Sequence, residues 1–333
     1  MAMRTAQVNL DKQRREKRDR LGEVRVLLAD RDSRTATLVQ RILFSFGFRK
    51  IDLVINGEDA LENLRRKPYD LIITEWNMTP TDGVLLVKAI RQARDDKRIR
   101  RDIPIIMLTA QAEMDNVKVA RDAGITEFIV KPFTAKTISQ RIILVIDNPR
   151  AFIDIGDYVG PCRRRREALP EGVSERRGKR VEAMPPDENL RKQLAPLAEL
   201  LTDDVVAAAQ IELLKSEAEF VEWAKDDIAQ LESAYAQLKA QPGNKGAHKA
   251  LLDAAYSIKS QAGIFGYDLG TGIGSMLVQY LTAHAEIRDE KLTVVRKHID
   301  AIVVIFTQKI KETGRDIGQE LINSLRALTK KIG

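Results

Sequence analysis

What most restricts the fold of this chain is a rhythm between Val24 and Asp147. Five short apolar runs, 24–29, 50–54, 71–75, 103–108 and 127–130, are rich in Val, Ile and Leu. Short runs of that length and composition are typical of strands buried on both faces of a parallel sheet. Between them, apolar residues recur three and four positions apart, as in Leu38, Ile42 and Leu43 or Val84, Leu85, Val87, Lys88 and Ile90, which is helical spacing. Asp82-Gly83 opens one such helix and Gly124 stands where another ends. Strand and helix alternating five times predict an α/β domain with a five-stranded, doubly wound parallel sheet.

The rhythm stops near residue 148. The stretch 148–190 holds five prolines and a run of four arginines among few apolar residues, the composition of an extended or disordered linker. Beyond it the pattern is helical throughout. Phe220, Trp223, Ala224, Ile228, Leu231, Tyr235 and Leu238 mark one face, and Pro242-Gly243-Asn244 makes a turn. Helices are expected near 247–264, 269–286, 291–312 and 316–332, together an all-α bundle. The expected organisation is a basic arm at 1–23, an α/β domain at 24–147, a basic linker at 148–190 and a helical bundle at 191–333. A length of 333 residues suits two domains.

Composition removes several function classes. The one cysteine, Cys162, excludes a disulfide framework and a cysteine zinc site. His248, His284 and His298 are too few and too scattered for a histidine metal centre. The longest apolar runs, such as 301–306, fall far short of the ~20 residues of a membrane span. A basic N-terminus with no apolar stretch behind it is not expected to be a secretory leader, so a cytoplasmic protein is expected. The net charge is +7, but residues 1–25 and 161–180 carry +4 and +5 of it, leaving the remainder near −2. Basicity belongs to the arm and the linker.

In an open parallel sheet the functional crevice lies at the carboxyl ends of the strands. Asp30, Glu75, Thr109 and Lys131 arrive there, within Leu-Leu-Ala-Asp30, Glu75-Trp76-Asn77-Met78 followed by Asp82-Gly83, Thr109-Ala110, and Lys131-Pro132-Phe133. Through these motifs, in this order, residues 24–147 resemble the receiver domain of bacterial response regulators. The resemblance implies a flavodoxin-like fold, a phosphoryl group accepted on an aspartate, and Mg²⁺ held by that aspartate and a pair of acids after the first strand. Two positions depart from it: Glu75 stands at the phosphoacceptor, and Arg31 at the second metal-binding acid. Arg31 removes a ligand and adds a charge of the metal's own sign, so no metal is expected, with Asp30 and Glu75 the weak Mg²⁺ candidates. Strand alternation turns Asp32 away from rescuing the site. Glu75, one methylene longer than Asp, reaches toward the place of a phosphoryl group, and an ion pair with Lys131 or Arg31 is expected. Thr109 and Phe128 match positions by which receivers couple the pocket to the face of their fourth helix, fifth strand and fifth helix.

A second motif runs from Ala255 to Gly266, Ala-Tyr-Ser-Ile-Lys-Ser-Gln-Ala-Gly-Ile-Phe-Gly. It resembles the signature helix of histidine-containing phosphotransfer (HPt) domains, with the likeness extending over about 205–315. Lys259, Gly263 and Gly266 match in register, but Tyr256 stands at the phosphohistidine. A phenol with pKa near ~10 is a poor nucleophile at neutral pH without an adjacent base. His248, eight residues earlier, lacks the signature's context.

The expectation is therefore a non-catalytic signalling adaptor with no cofactor and no catalytic residue, a pseudo-receiver joined to a pseudo-phosphotransfer bundle. Its partners would be histidine kinases, phosphotransfer proteins or receivers. Two alternatives stand beside it: an active phosphorelay protein using Glu75 or His248, and a cyclic-dinucleotide effector. The second would use Arg163, Arg164, Arg165 and Arg166, whose guanidinium forks suit phosphate, whether of a nucleotide or a nucleic acid. No aromatic residue interleaves the arginines, which argues against base stacking.

Overall fold

A computed structural model describes residues 16, 18–110, 114–163, 182–184, 189–311 and 317–332. The chain divides into two compact units, Met1–Val130 with Thr134–Leu213, and Lys131–Phe133 with Leu214–Gly333.

In the first unit β1 (Arg25–Ala29), β2 (Lys50–Val54), β3 (Leu71–Glu75), β4 (Ile105–Thr109) and β5 (Glu127–Val130) form a parallel sheet in the order β2-β1-β3-β4-β5. The helices between and after them are α1 (Ser33–Phe46), α2 (Gly57–Arg66), α3 (Gly83–Gln92), α4 (Met114–Ala123) and α5 (Ala135–Asp147). This is the expected doubly wound architecture. β3 and β4 are buried along their whole length, including the polar Thr74, Glu75 and Thr109 at their carboxyl ends. Helix starts are set locally: Asp32, Asn56, Asp82 and Thr134 each accept a backbone N–H from the first turn of the helix they precede. The folded body begins before Val24, because Leu21, in the stretch expected to be a basic arm, is fully buried.

The segment 148–190, expected to be a linker, contributes β6 (Phe152–Asp154), β7 (Val159–Pro161) and β8 (Glu182–Met184), an antiparallel sheet in the order β7-β6-β8. Three-residue strands carry no readable periodicity, and tertiary anchors hold them. Asp154 receives Arg94 at 2.8 Å and Arg101 at 2.7 Å. Burial raises its pKa, but the hydrogen bonds from Arg101 and the Gly156 N–H hold the carboxyl below the ordinary aspartate value. Gly124 (φ 101°) and Gly160 meet where neither has room for a side chain: a Cβ on Gly124 would lie 2.5 Å from the Val159 carbonyl oxygen. Beneath them Arg91, the one arginine of α3, is fully buried. Its Nε donates to the Gly124 carbonyl at 2.9 Å, and Nη1 donates to the carbonyls of Ile103, at 2.8 Å, and Arg101. The guanidinium lies 5.5 Å from the centre of the Phe152 ring. Residues 164–181, including Arg164, Arg165 and Arg166, lie outside the described residues.

Residues 191–213, expected on periodicity to belong to the bundle, fall with 189 and 190 in the first unit. They form α6 (Asn189–Leu194), a 3-10 turn (Leu197–Glu199) and most of α7 (Asp203–Leu214), and α6 and the turn pack on α5.

The second unit contains α8 (Glu217–Ala240), α9 (Lys245–Ala262), α10 (Asp268–Ala283), α11 (Glu290–Thr307) and α12 (Ile317–Ile332). α8 to α11 pack in a closed ring, each on the next and α11 back on α8, while α12 lies against α11 and α10. One end of the core is aromatic: Phe220 stacks on Phe265 at 4.5 Å and meets Tyr267 and Phe306 within 5.7 Å. The α9–α10 crossing is close because Gly274 has no side chain; a Cβ there would lie 3.2 Å from the Lys259 backbone nitrogen.

Candidate functional site

Register lines up the residues at the carboxyl edge of the sheet. Ala29 on β1 is opposite Thr74 on β3, so Asp30 and Glu75 emerge side by side on neighbouring strands, about 4.8 Å apart at the backbone. Glu75 is opposite Leu108, and Thr109 follows on β4, fully buried. Lys131 comes directly after β5 and is also buried. Phe128, on β5, is half-buried and packs against the core under this edge.

Glu75 is turned back onto its own loop. Its Oε1 accepts the Trp76 N–H at 2.6 Å and the Asn77 N–H at 3.3 Å. Successive backbone N–H groups of this kind make a small anion-binding concavity, here filled by the protein's own carboxylate. The loop is held from behind by Gly83, whose N–H donates to the Trp76 carbonyl at 2.8 Å. A Cβ on Gly83 would lie 2.1 Å from the Glu75 carbonyl oxygen, so only glycine lets α3 start this close to the end of β3. A neighbouring loop joins through the Gly57 N–H, which donates to Thr81 O at 3.1 Å. The sequence marks Gly83 only as a helix start; its close approach to Glu75 carries no sequence signal.

The remaining acids are occupied. Asp30 Oδ1 accepts the Asp32 N–H at 2.9 Å. Asp32 caps α1, accepting the Arg34 N–H at 3.1 Å and the Thr35 hydroxyl at 2.6 Å. Mg²⁺ demands near-octahedral oxygen coordination. Here one acid position is the cation Arg31, Asp32 serves a helix cap, and Glu75 Oε1 is committed to two amides. No group of three or more His, Cys, Asp or Glu among the described residues could hold a metal ion. The donor set does not fit Mg²⁺.

In the second unit Tyr256 and Lys259 lie one turn apart on α9, both half-buried, with the ammonium 5.9 Å from the phenol ring centre. Behind them the Ser257 hydroxyl donates to the buried Asp227 at 2.7 Å and accepts from Gln261 at 3.0 Å. His248 sits two turns before Tyr256, about 12 Å along the helix axis. Its Nε2 lies 3.1 Å from the Leu281 carbonyl and 3.0 Å from that of His284, at the end of α10, a capping role. His298 is fully buried in α11, with Nδ1 2.8 Å from the Val294 carbonyl. Of the four linker arginines only Arg163 is described: it lies 4.1 Å over the Tyr158 ring and pairs with Asp122 at 2.9 Å. No helix among the described residues is long and apolar enough to cross a membrane.

Residues 26–143 match the response regulator receiver domain family. The chemotaxis protein CheY-3 of Vibrio cholerae is 32% identical over 119 residues, spanning 36% of this chain and 88% of that protein. The chemotaxis protein CheY of Pseudomonas aeruginosa is 31% identical over 119 residues, 36% of this chain and 93% of that one. A solved structure of the chemotaxis response regulator CheY4 of Vibrio cholerae is 26% identical and covers 36% of this chain and 95% of its own, with a TM-score of 0.33. Through its N-terminal α/β unit, the chain belongs to the response regulator receiver family.

Proposed function

We propose that this chain is a non-catalytic regulator of two-component signalling, whose receiver unit and HPt-like bundle dock on histidine kinases, phosphotransfer proteins or receivers without passing a phosphoryl group. The seat of Glu75 on the Trp76 and Asn77 amides carries the reading. A carboxylate covalently fixed in an anion-binding concavity supplies a permanent negative charge. An incoming phosphoryl group would meet that charge with no divalent cation to offset it. Such a pocket holds one state regardless of the phosphorylation of its surroundings. The bundle is consistent with the same role, since a phenol takes the phosphohistidine position and His248 is spent on capping a helix.

The test uses the full chain, a histidine kinase from the same cell and radiolabelled ATP, read by pull-down and by label transfer. A stable complex with no label on this chain is the expected result. Label that reaches the chain and disappears in Glu75→Ala or His248→Ala overturns the reading in favour of an active relay.

A further inference from the structure

The first unit holds a cavity of about 570 Å³ at the amino edge of its parallel sheet. A strand's length, roughly 16 Å, separates it from the edge that carries Glu75. Its volume is that of a small-molecule site. The walls come from three places: Arg18 to Glu23 before β1, the end of α1 with the turn into β2, and Val205 on α7. The first and last lie outside the 26–143 match, so the receiver fold alone does not build this cavity. Its floor is open backbone. Gly47 ends α1 at φ 114°, a conformation that other residues resist, and a Cβ on Gly22 would stand 3.5 Å from the Arg49 stem. Phe46, buried, and Val205, half-buried, supply the apolar wall.

The charged lining is partly committed and partly available. Arg49 Nη1 donates to the carbonyls of Phe44 at 2.7 Å and Phe48 at 2.8 Å, which fixes the plane of the guanidinium. Its other edge, Nε and Nη2, bonds nothing among the described residues. That edge is the fork by which arginine takes a carboxylate in two parallel hydrogen bonds. Arg18 likewise pairs with no described residue. Lys50 is paired with Glu23 at the rim, and Asp19 completes the set. Three cations against two carboxylates leave a surplus of one positive charge, and the two acids repel a polyanion.

We propose that this cavity binds a small monocarboxylate with an apolar body, its carboxylate on the Arg49 fork beside Arg18 and its body against Phe46 and Val205. One negative charge matches the surplus, and the fork is already held in place, so little ordering cost opposes binding. A bound ligand ties the segment before β1 to α1 and α7, at the edge of the sheet opposite Glu75.

The test uses the full chain, isotope-labelled, titrated at constant ionic strength with benzoate to roughly 20 mM and, separately, with benzyl alcohol, phenyl phosphate and ATP. Benzoate should move the amide signals of Gly22, Gly47 and Lys50 along one saturating curve, with a Kd on the order of 1 mM. Benzyl alcohol, the same ring without the charge, should bind at least about tenfold more weakly. Phenyl phosphate, with a charge of about −2 at neutral pH, should bind no more tightly than benzoate. Arg18→Gln should weaken benzoate by about tenfold and leave the melting temperature unchanged, because Arg18 holds nothing else. Arg49→Lys keeps the charge, loses the fork and should weaken benzoate to a similar degree. Shifts that never saturate overturn the site, as does an affinity untouched by Arg18→Gln. Phenyl phosphate or ATP binding more tightly than benzoate overturns the assignment to a monocarboxylate.

Discussion

Replacing Arg91 with leucine isolates the contact that fastens the β6–β7 hairpin to the sheet. Burial pulls the guanidinium well below its ordinary value, to about 9, still cationic at neutral pH. That displacement corresponds to a penalty on the charged form of about 5 kcal/mol. Against it stand three hydrogen bonds to the carbonyls of Gly124, Ile103 and Arg101, each worth about 1.5–3 kcal/mol with a charged donor. The sum leaves the arginine favourable by about 2 kcal/mol. Leucine forfeits that margin and leaves three inward carbonyls short of a donor, so the total loss should reach about 4 kcal/mol. Hydrogen exchange read by mass spectrometry is the assay, since it separates the first unit from the bundle. Amides around 124–126 and 152–161 should exchange about a thousandfold faster, while α8 to α11 keep their protection. Arg91→Lys, with one ammonium for three acceptors, should fall between leucine and wild type. A leucine variant within about 1 kcal/mol of wild type would refute the reasoning, because it would mean that desolvation cancels the hydrogen bonds outright.

Gly83→Ala forces a Cβ against the Glu75 carbonyl, so the loop must move, at a cost of about 3 kcal/mol, and the Trp76 and Asn77 amide resonances should shift together. Glu75→Gln keeps an acceptor but removes its charge; the two amide bonds should weaken by about 1–2 kcal/mol in total, read by denaturation and by amide chemical shift. Adding Mg²⁺ should leave the melting temperature of the wild-type chain unchanged, whereas Arg31→Asp with Glu75→Asp should introduce a Mg²⁺-dependent rise. Burial lowers the pKa of His298 below its ordinary 6.5, with the Val294 carbonyl opposing. The unfolded chain then binds the proton more readily than the folded one, so stability is full above pH ~6.5 and is lost on acidification by up to about 1.4 kcal/mol per pH unit. Urea titrations of the bundle from pH 8 to 5 measure this, as about one proton, and His298→Leu should flatten the slope.

The α/β fold was legible because its information is local and repeated. Each of the five strands announces itself by an apolar run, and Asp82-Gly83 and Gly124 mark helix ends by residue type, so the edge carrying Asp30, Glu75, Thr109 and Lys131 follows from topology alone. The helices of the bundle were legible for the same reason, Phe220 to Leu238 repeating at one period. Glu75, Arg31 and Tyr256 likewise stand in the sequence as single letters that residue type alone makes visible. What Glu75 does there was not legible, because the direction of a carboxylate depends on the path of the following loop, which Gly83 sets from another element. The hairpin of β6 and β7 was hidden because three-residue strands show no period, and the residues that hold it, Arg91, Arg94 and Arg101, lie over fifty positions away. The pattern from Leu190 to Leu201 suits a bundle helix equally well, because periodicity reports that a face is buried but not against what. Amino-acid order decided which segments become strands and helices and which chemistry reaches the sheet edge. Only tertiary structure decided the partners of those segments, because burial and hydrogen bonding are satisfied by whatever lies close in space, however distant along the chain.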